Sequence, residues 1–114
     1  MAVRGPRYCN DEIIVCTYIA RFRQPSSEAV EMFSRLFPNR SAKSIRAKIG
    51  NIAAMLRDEG LPHSWQSYLT GTTTGRSARR TNWEIVRPLT CLSEKDLLER
   101  IARVPPASTT PRRW

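Results

Sequence analysis

The chain has little of what most active sites are built from. It holds one histidine, His63, and three cysteines, Cys9, Cys16 and Cys91, no two of which stand at CxxC spacing. A zinc site needs close pairs of Cys or His ligands, and a disulfide framework needs an even set. The cysteines therefore read as small core residues in a reducing compartment. Only five glycines occur. Gly71-Thr72-Thr73-Thr74-Gly75-Arg76 resembles a phosphate loop only in outline, because no Lys-Ser/Thr step and no clear strand accompany it. No serine, cysteine or lysine can be paired with a base to make a nucleophile. We expect a protein that is not an enzyme and uses no metal and no cofactor.

Long apolar runs are also missing. Ile13 to Ala20 is broken by Thr17 and Tyr18 and is far too short to span a bilayer. Arg4 and Arg7 are not followed at once by an apolar stretch, so no secretory signal is read. The expected place is the cytoplasm, with no membrane partner.

Positive charge is abundant. Nineteen basic residues face ten acidic ones, giving a net charge of +9 over 114 residues. Residues 1–60 hold 10 basic and 6 acidic side chains, and residues 61–114 hold 9 and 4, so neither half alone carries the excess. Such a balance favours a polyanionic partner: DNA, RNA or an acidic protein surface.

Arg40 to Arg57 is the most informative stretch. Ile45, Ile49, Ile52 and Leu56 recur at i, i+4, i+7 and i+11, the pattern of a helix resting on a core. Ser41 is a natural N-cap, since its hydroxyl can accept from an unpaired amide of the first turn. At about 100° per residue, Lys43, Arg46 and Arg57 fall opposite the isoleucines, with Ala47, Gly50 and Ala54 among them. Small residues between cations let a helix approach a phosphate backbone or enter a groove. Gly60 suits the left-handed position just past the helix end.

Two helices precede this one. The first runs from about Asp11 to Phe22, with Asn10 as its cap, acidic residues in its first turn, and Ile14, Tyr18 and Phe22 repeating every four. Its β-branched content argues for a strand, and the cap and length argue for a helix. Gln24-Pro25-Ser26-Ser27 breaks it, and Ser27 caps a second helix from about Glu28 to Phe37 with Val30, Phe33 and Phe37 inward. Pro38-Asn39-Arg40 separates that helix from the third. The second and third helices have the layout of a helix-turn-helix.

Beyond Gly60 the signals weaken. Leu61 to Leu69, with Trp65 and Tyr68, reads as a short helix packed on the core. Residues 70–82 form a basic loop or arm carrying Arg76, Arg79 and Arg80. Trp83 to Arg87 alternates weakly and reads as a short strand or extended segment. Ser93 with Asp96 makes an imperfect capping box, and Leu97, Leu98, Ile101 and Val104 define a C-terminal helix over 93–104. Pro105-Pro106 ends it. The expected fold is mainly α: one helical domain over 10–104 built on a three-helix core at 10–60, with a C-terminal extension. A basic flexible lead at 1–9 and a Pro/Ser/Thr-rich flexible tail at 105–114 flank it.

The segment from Asp11 to about Gly60 resembles the small N-terminal module that precedes the nuclease domain of some bacterial and phage HNH endonucleases. More distantly it is similar to Myb/SANT-like helical DNA-binding domains. The carrying residues are Asp11-Glu12-Ile13-Ile14 with Tyr18, then Arg40-Ser41-x-x-Ser44-Ile45-x-x-Lys48-Ile49-x-Asn51-Ile52. The resemblance implies a third helix set against DNA through Arg40, Lys43, Arg46 and Lys48. It stops short of the nuclease part, whose histidines the chain does not hold.

The leading expectation is thus a non-enzymatic binder of duplex DNA in a bacterial host cell. Its contacts would be Arg40, Ser41, Lys43, Ser44, Arg46, Lys48 and Arg57 on the third helix, with Arg76, Arg79 and Arg80 as an arm along the backbone or in a minor groove. The alternative is a small phage-type anti-defence protein, an anti-CRISPR-like inhibitor or adaptor on a protein or nucleoprotein partner. Trp65, Trp83 and Trp114 would be its hot spots where exposed. RNA binding has no aromatic stacking platform to support it.

Overall fold

A computed structural model describes residues 8–65 and 82–104. Five helices and no strand occur among the described residues: α1 (Asn10–Phe22), α2 (Ser27–Leu36), α3 (Ala42–Asp58), α4 (Trp83–Leu89) and α5 (Glu94–Ala102). The protein is a mainly α bundle. None of these helices is long and apolar enough to cross a membrane.

α1 is the hub, packing against each of the other four helices. Ile13, Val15, Cys16, Ile19 and Ala20 are fully buried, while Ile14 and Phe22 sit half-buried at its flanks. The inward centre is therefore rotated from the expected Ile14–Tyr18–Phe22 line. Burial on nearly every side explains why a helix tolerates so many β-branched residues: the packing outweighs their modest helix propensity. Its cap also differs from expectation. Asn10 is the first helical residue, Cys9 is the N-cap, and the Glu12 carboxylate accepts the Cys9 N–H at 2.8 Å.

α2 begins one residue earlier than expected. Ser26 rather than Ser27 is its cap, accepting from Ala29 N–H at 3.1 Å. Val30 and Phe33 face the core.

α3 has the expected start and finish. Ser41 Oγ accepts from Ser44 N–H at 3.1 Å. At the other end Gly60 has φ +73°, its N–H reaches Arg57 O at 3.0 Å, and Leu61 N–H reaches Leu56 O at 2.8 Å. This nested pair of bonds is the Schellman motif, which satisfies carbonyls of the last helical turn. Ile45, Ile49, Ile52 and Leu56 are all fully buried.

After α3 the chain returns to α1. Trp65 is buried to 1% exposure, and the N–H groups of Ser64 and Trp65 both donate to Ala20 O, at 2.9 and 3.1 Å. Residues 61–65 are not helical, and the remainder of the expected 61–69 helix lies outside the described residues.

The expected strand at 83–87 is a helix. Val86 and Leu89, three apart, are both buried, and that spacing belongs to a helix stripe. Alternation over five residues is too short to separate the two periods. Pro88 lacks the N–H that would reach the Glu84 carbonyl, and separately Arg21 satisfies the C-terminal carbonyl of Leu89 (2.9 Å) and, just past the helix, that of Leu92 (2.6 Å). α5 is capped as expected by Ser93, which accepts from Asp96 N–H at 3.1 Å. Tyr18 OH donates to Glu94 at 3.0 Å and ties α1 to α5.

Candidate nucleic-acid interface

α3 is divided along its length. Every residue from Ile52 to Leu56 is buried, and so is Gly50. Consecutive residues cover all azimuths of a helix, so this half is enclosed rather than resting on a surface. Gly50 and Ala54 therefore do not form the expected smooth outer face. The open face belongs to the N-terminal half, where Ser41, Ala42, Lys43 and Ala47 are exposed and Arg46 is half-buried.

Along that half the polar side chains split into two groups. Lys43 and Arg46 make no ion pair among the described residues. Ala47, about 40° round the helix from Lys43 on the side away from Arg46, is exposed and projects nothing beyond its methyl, so the helix surface beside the two cations is low.

The other expected contacts are engaged within the fold. Arg40 holds Glu12 through two bonds, Nε to Oε2 at 2.8 Å and Nη2 to Oε1 at 2.9 Å. The two side chains are only 13% and 9% exposed. The Arg40 guanidinium also lies 3.8 Å from the centre of the Tyr8 ring. Burial pushes the Glu12 carboxyl up, but the Arg40 bonds and the Cys9 N–H pull harder, and the net position is below the ordinary carboxylate range. The Glu12 hydrogen bond correspondingly raises Arg40 further.

Ser44 Oγ is 2.7 Å from Tyr8 OH, and Ser41 is spent on its capping bond. Lys48 Nζ donates to Asn82 Oδ1 at 2.7 Å, joining α3 to the residue that opens α4. Burial lowers Lys48 from its ordinary range, and it also lies 5.7 Å from the Tyr8 ring centre. Of the three cysteines expected in the core only Cys16 is buried, and desolvation pushes its thiol up, while Cys9 and Cys91 are exposed.

Arg57 is exposed and bonds its neighbour Asp58, Nη2 to Oδ1 at 3.1 Å. Arg76, Arg79 and Arg80 lie outside the described residues. The polar ring of Tyr8, Glu12, Arg40 and Ser44 leaves almost no mark on the sequence. Its only local trace is Glu12 at the third position of α1, a place that also suits a plain capping glutamate.

His63 is half-buried, and its Nδ1 is 2.9 Å from Trp65 O, so the ring holds the loop that seats the tryptophan. Trp65 itself is core, not an exposed anchor, and Trp83 is half-buried. Among the described residues no group of three His, Cys, Asp or Glu side chains could hold a metal ion. No protein-family model, curated protein or solved structure matches the chain.

Proposed function

We propose that this chain is a non-enzymatic protein that binds duplex DNA through the N-terminal half of α3. The observation that carries the reading is the pair of exposed Lys43 and half-buried Arg46, which have no ion-pair partner among the described residues and lie beside exposed Ala47. Neighbouring Arg40 and Lys48 are engaged inside the fold, so the two outward cations are set apart from the structural ones. Such cations displace condensed counterions from a phosphate backbone, and the net charge of +9 draws the partner in. The sequence resemblance to helical modules of HNH endonucleases supports the same reading.

An electrophoretic shift series on duplex DNA, single-stranded DNA and RNA across salt tests it. Duplex affinity should fall steeply as salt rises. Duplex affinity that ignores salt overturns the proposal.

A second reading, docking on a protein partner, is favoured by one observation. Leu98 on α5 is the single large apolar side chain exposed among the described residues, and it shares a shallow groove of about 450 Å³ with Glu94, Glu99 and Ala102. Recovery of one defined protein from a nuclease-treated lysate, abolished by Leu98→Asp, would favour this reading over DNA.

A further inference from the structure

We infer that Arg40 serves the proposed interface without touching nucleic acid: it is a positioning residue that fixes where the first turn of α3 presents Lys43. The inference rests on the duplex-binding reading above.

A closed circuit of contacts surrounds the start of α3. Glu12 stands at its centre. One carboxylate oxygen, Oε1, accepts both the Cys9 N–H that opens α1 and the Arg40 Nη2–H, while Oε2 takes Arg40 Nε–H. A single side chain thus joins the beginning of α1 to the residue immediately before the Ser41 cap. Tyr8 closes the circuit from the other side. Its ring lies under the Arg40 guanidinium, and its hydroxyl reaches Ser44 Oγ, one turn into α3.

A guanidinium gripped by two parallel bonds and stacked on a ring keeps one geometry. Swinging it out to a phosphate would strip a buried carboxylate of its main partners. That loss exceeds what one solvent-exposed phosphate contact returns. Arg40 therefore stays in place when a ligand arrives. What it transmits is orientation: Pro38-Asn39-Arg40 leads directly into Ser41, and Lys43 follows two residues later. The body of α3 needs no such help, because Ile45, Ile49, Ile52 and Leu56 fasten it to the core. The lock acts on the exposed first turn, where the charge that meets the ligand sits.

Salt dependence distinguishes a phosphate contact from a positioning residue. Lys43→Ala should lower the slope of log affinity against log salt by about one. Arg40→Lys keeps the charge but cannot make the bidentate pair. It should weaken duplex binding roughly fivefold, the cost of re-fixing about one residue on binding, with the slope unchanged. Glu12→Gln should do the same. Measurements are made well below each variant's melting temperature, where a loss of global stability alone would leave affinity unmoved.

If Arg40 contacts phosphate instead, Glu12→Gln releases it, binding tightens, and Arg40→Lys leaves affinity near wild type. Either result overturns the inference while the DNA reading stands. Wild-type protein that gives no shift with duplex at low salt overturns the DNA reading, and this inference with it.

Discussion

Trp65 is suspended from Ala20. The carbonyl of Ala20, near the end of α1, accepts the backbone N–H groups of both Ser64 and Trp65, at 2.9 and 3.1 Å, and the indole fills the space beneath at 1% exposure. The partly exposed segment that leaves α3 is thereby returned to the hub helix. Trp65→Ala removes one of the largest fully buried side chains and leaves a cavity beside α1. The expected loss is about 3–5 kcal/mol, read from chemical denaturation. Trp65→Phe should recover a good part of it.

The outward cations should declare themselves through counterions. Lys43→Ala with Arg46→Ala should reduce the salt slope of duplex binding by about two, since each neutralised phosphate contributes roughly 0.9. Stability should move little, because neither side chain has an ion partner among the described residues. A shift series at several salt concentrations, run beside thermal melts, checks both halves of this expectation.

Acid should loosen the Glu12 lock. The carboxyl lies below its ordinary value of 4.5 in the folded state, so over that window the unfolded chain binds more protons. The stabilisation is fully present above 4.5 and is lost as pH falls through the lower folded value. Melting temperature followed from neutral pH into strong acid should show this loss. Glu12→Gln should be less stable at neutral pH and should flatten that part of the profile.

Gly60 makes a narrower case. Its φ of +73° is a left-handed conformation, and a Cβ built there meets nothing within 4 Å. Gly60→Ala should therefore cost only the backbone strain, about 1 kcal/mol, with no steric penalty. Gly60→Asn should cost less, since asparagine visits that region more readily. Urea midpoints of the two variants order the effects.

The elements that could be read from the chain are those whose causes lie within a few residues. Ser41 bonds an amide three residues on, Ser93 does the same, and Gly60 closes a turn on Arg57 while Leu61 bonds Leu56. The isoleucine stripe of α3 is an i, i+4 pattern and is buried throughout. Where local signals are short or doubled, they mislead. Two adjacent serines at the start of α2 leave the cap ambiguous by one residue, and five alternating residues at 83–87 conceal a helix whose stripe is completed only by Leu89.

Composition and local pattern thus determined a basic helical chain, the Ser41 and Ser93 caps, the stop at Gly60, and the apolar side of α3. Only the tertiary arrangement decided which cations remain at the surface. Arg40 meets Glu12 across 28 residues, and Lys48 meets Asn82 across 34. The physical reason is that helix periodicity assigns a side chain to an azimuth, but whether that azimuth faces water or another helix depends on packing between distant segments. The same packing encloses Gly50 and Ala54 and confines the open face of α3 to its first turns.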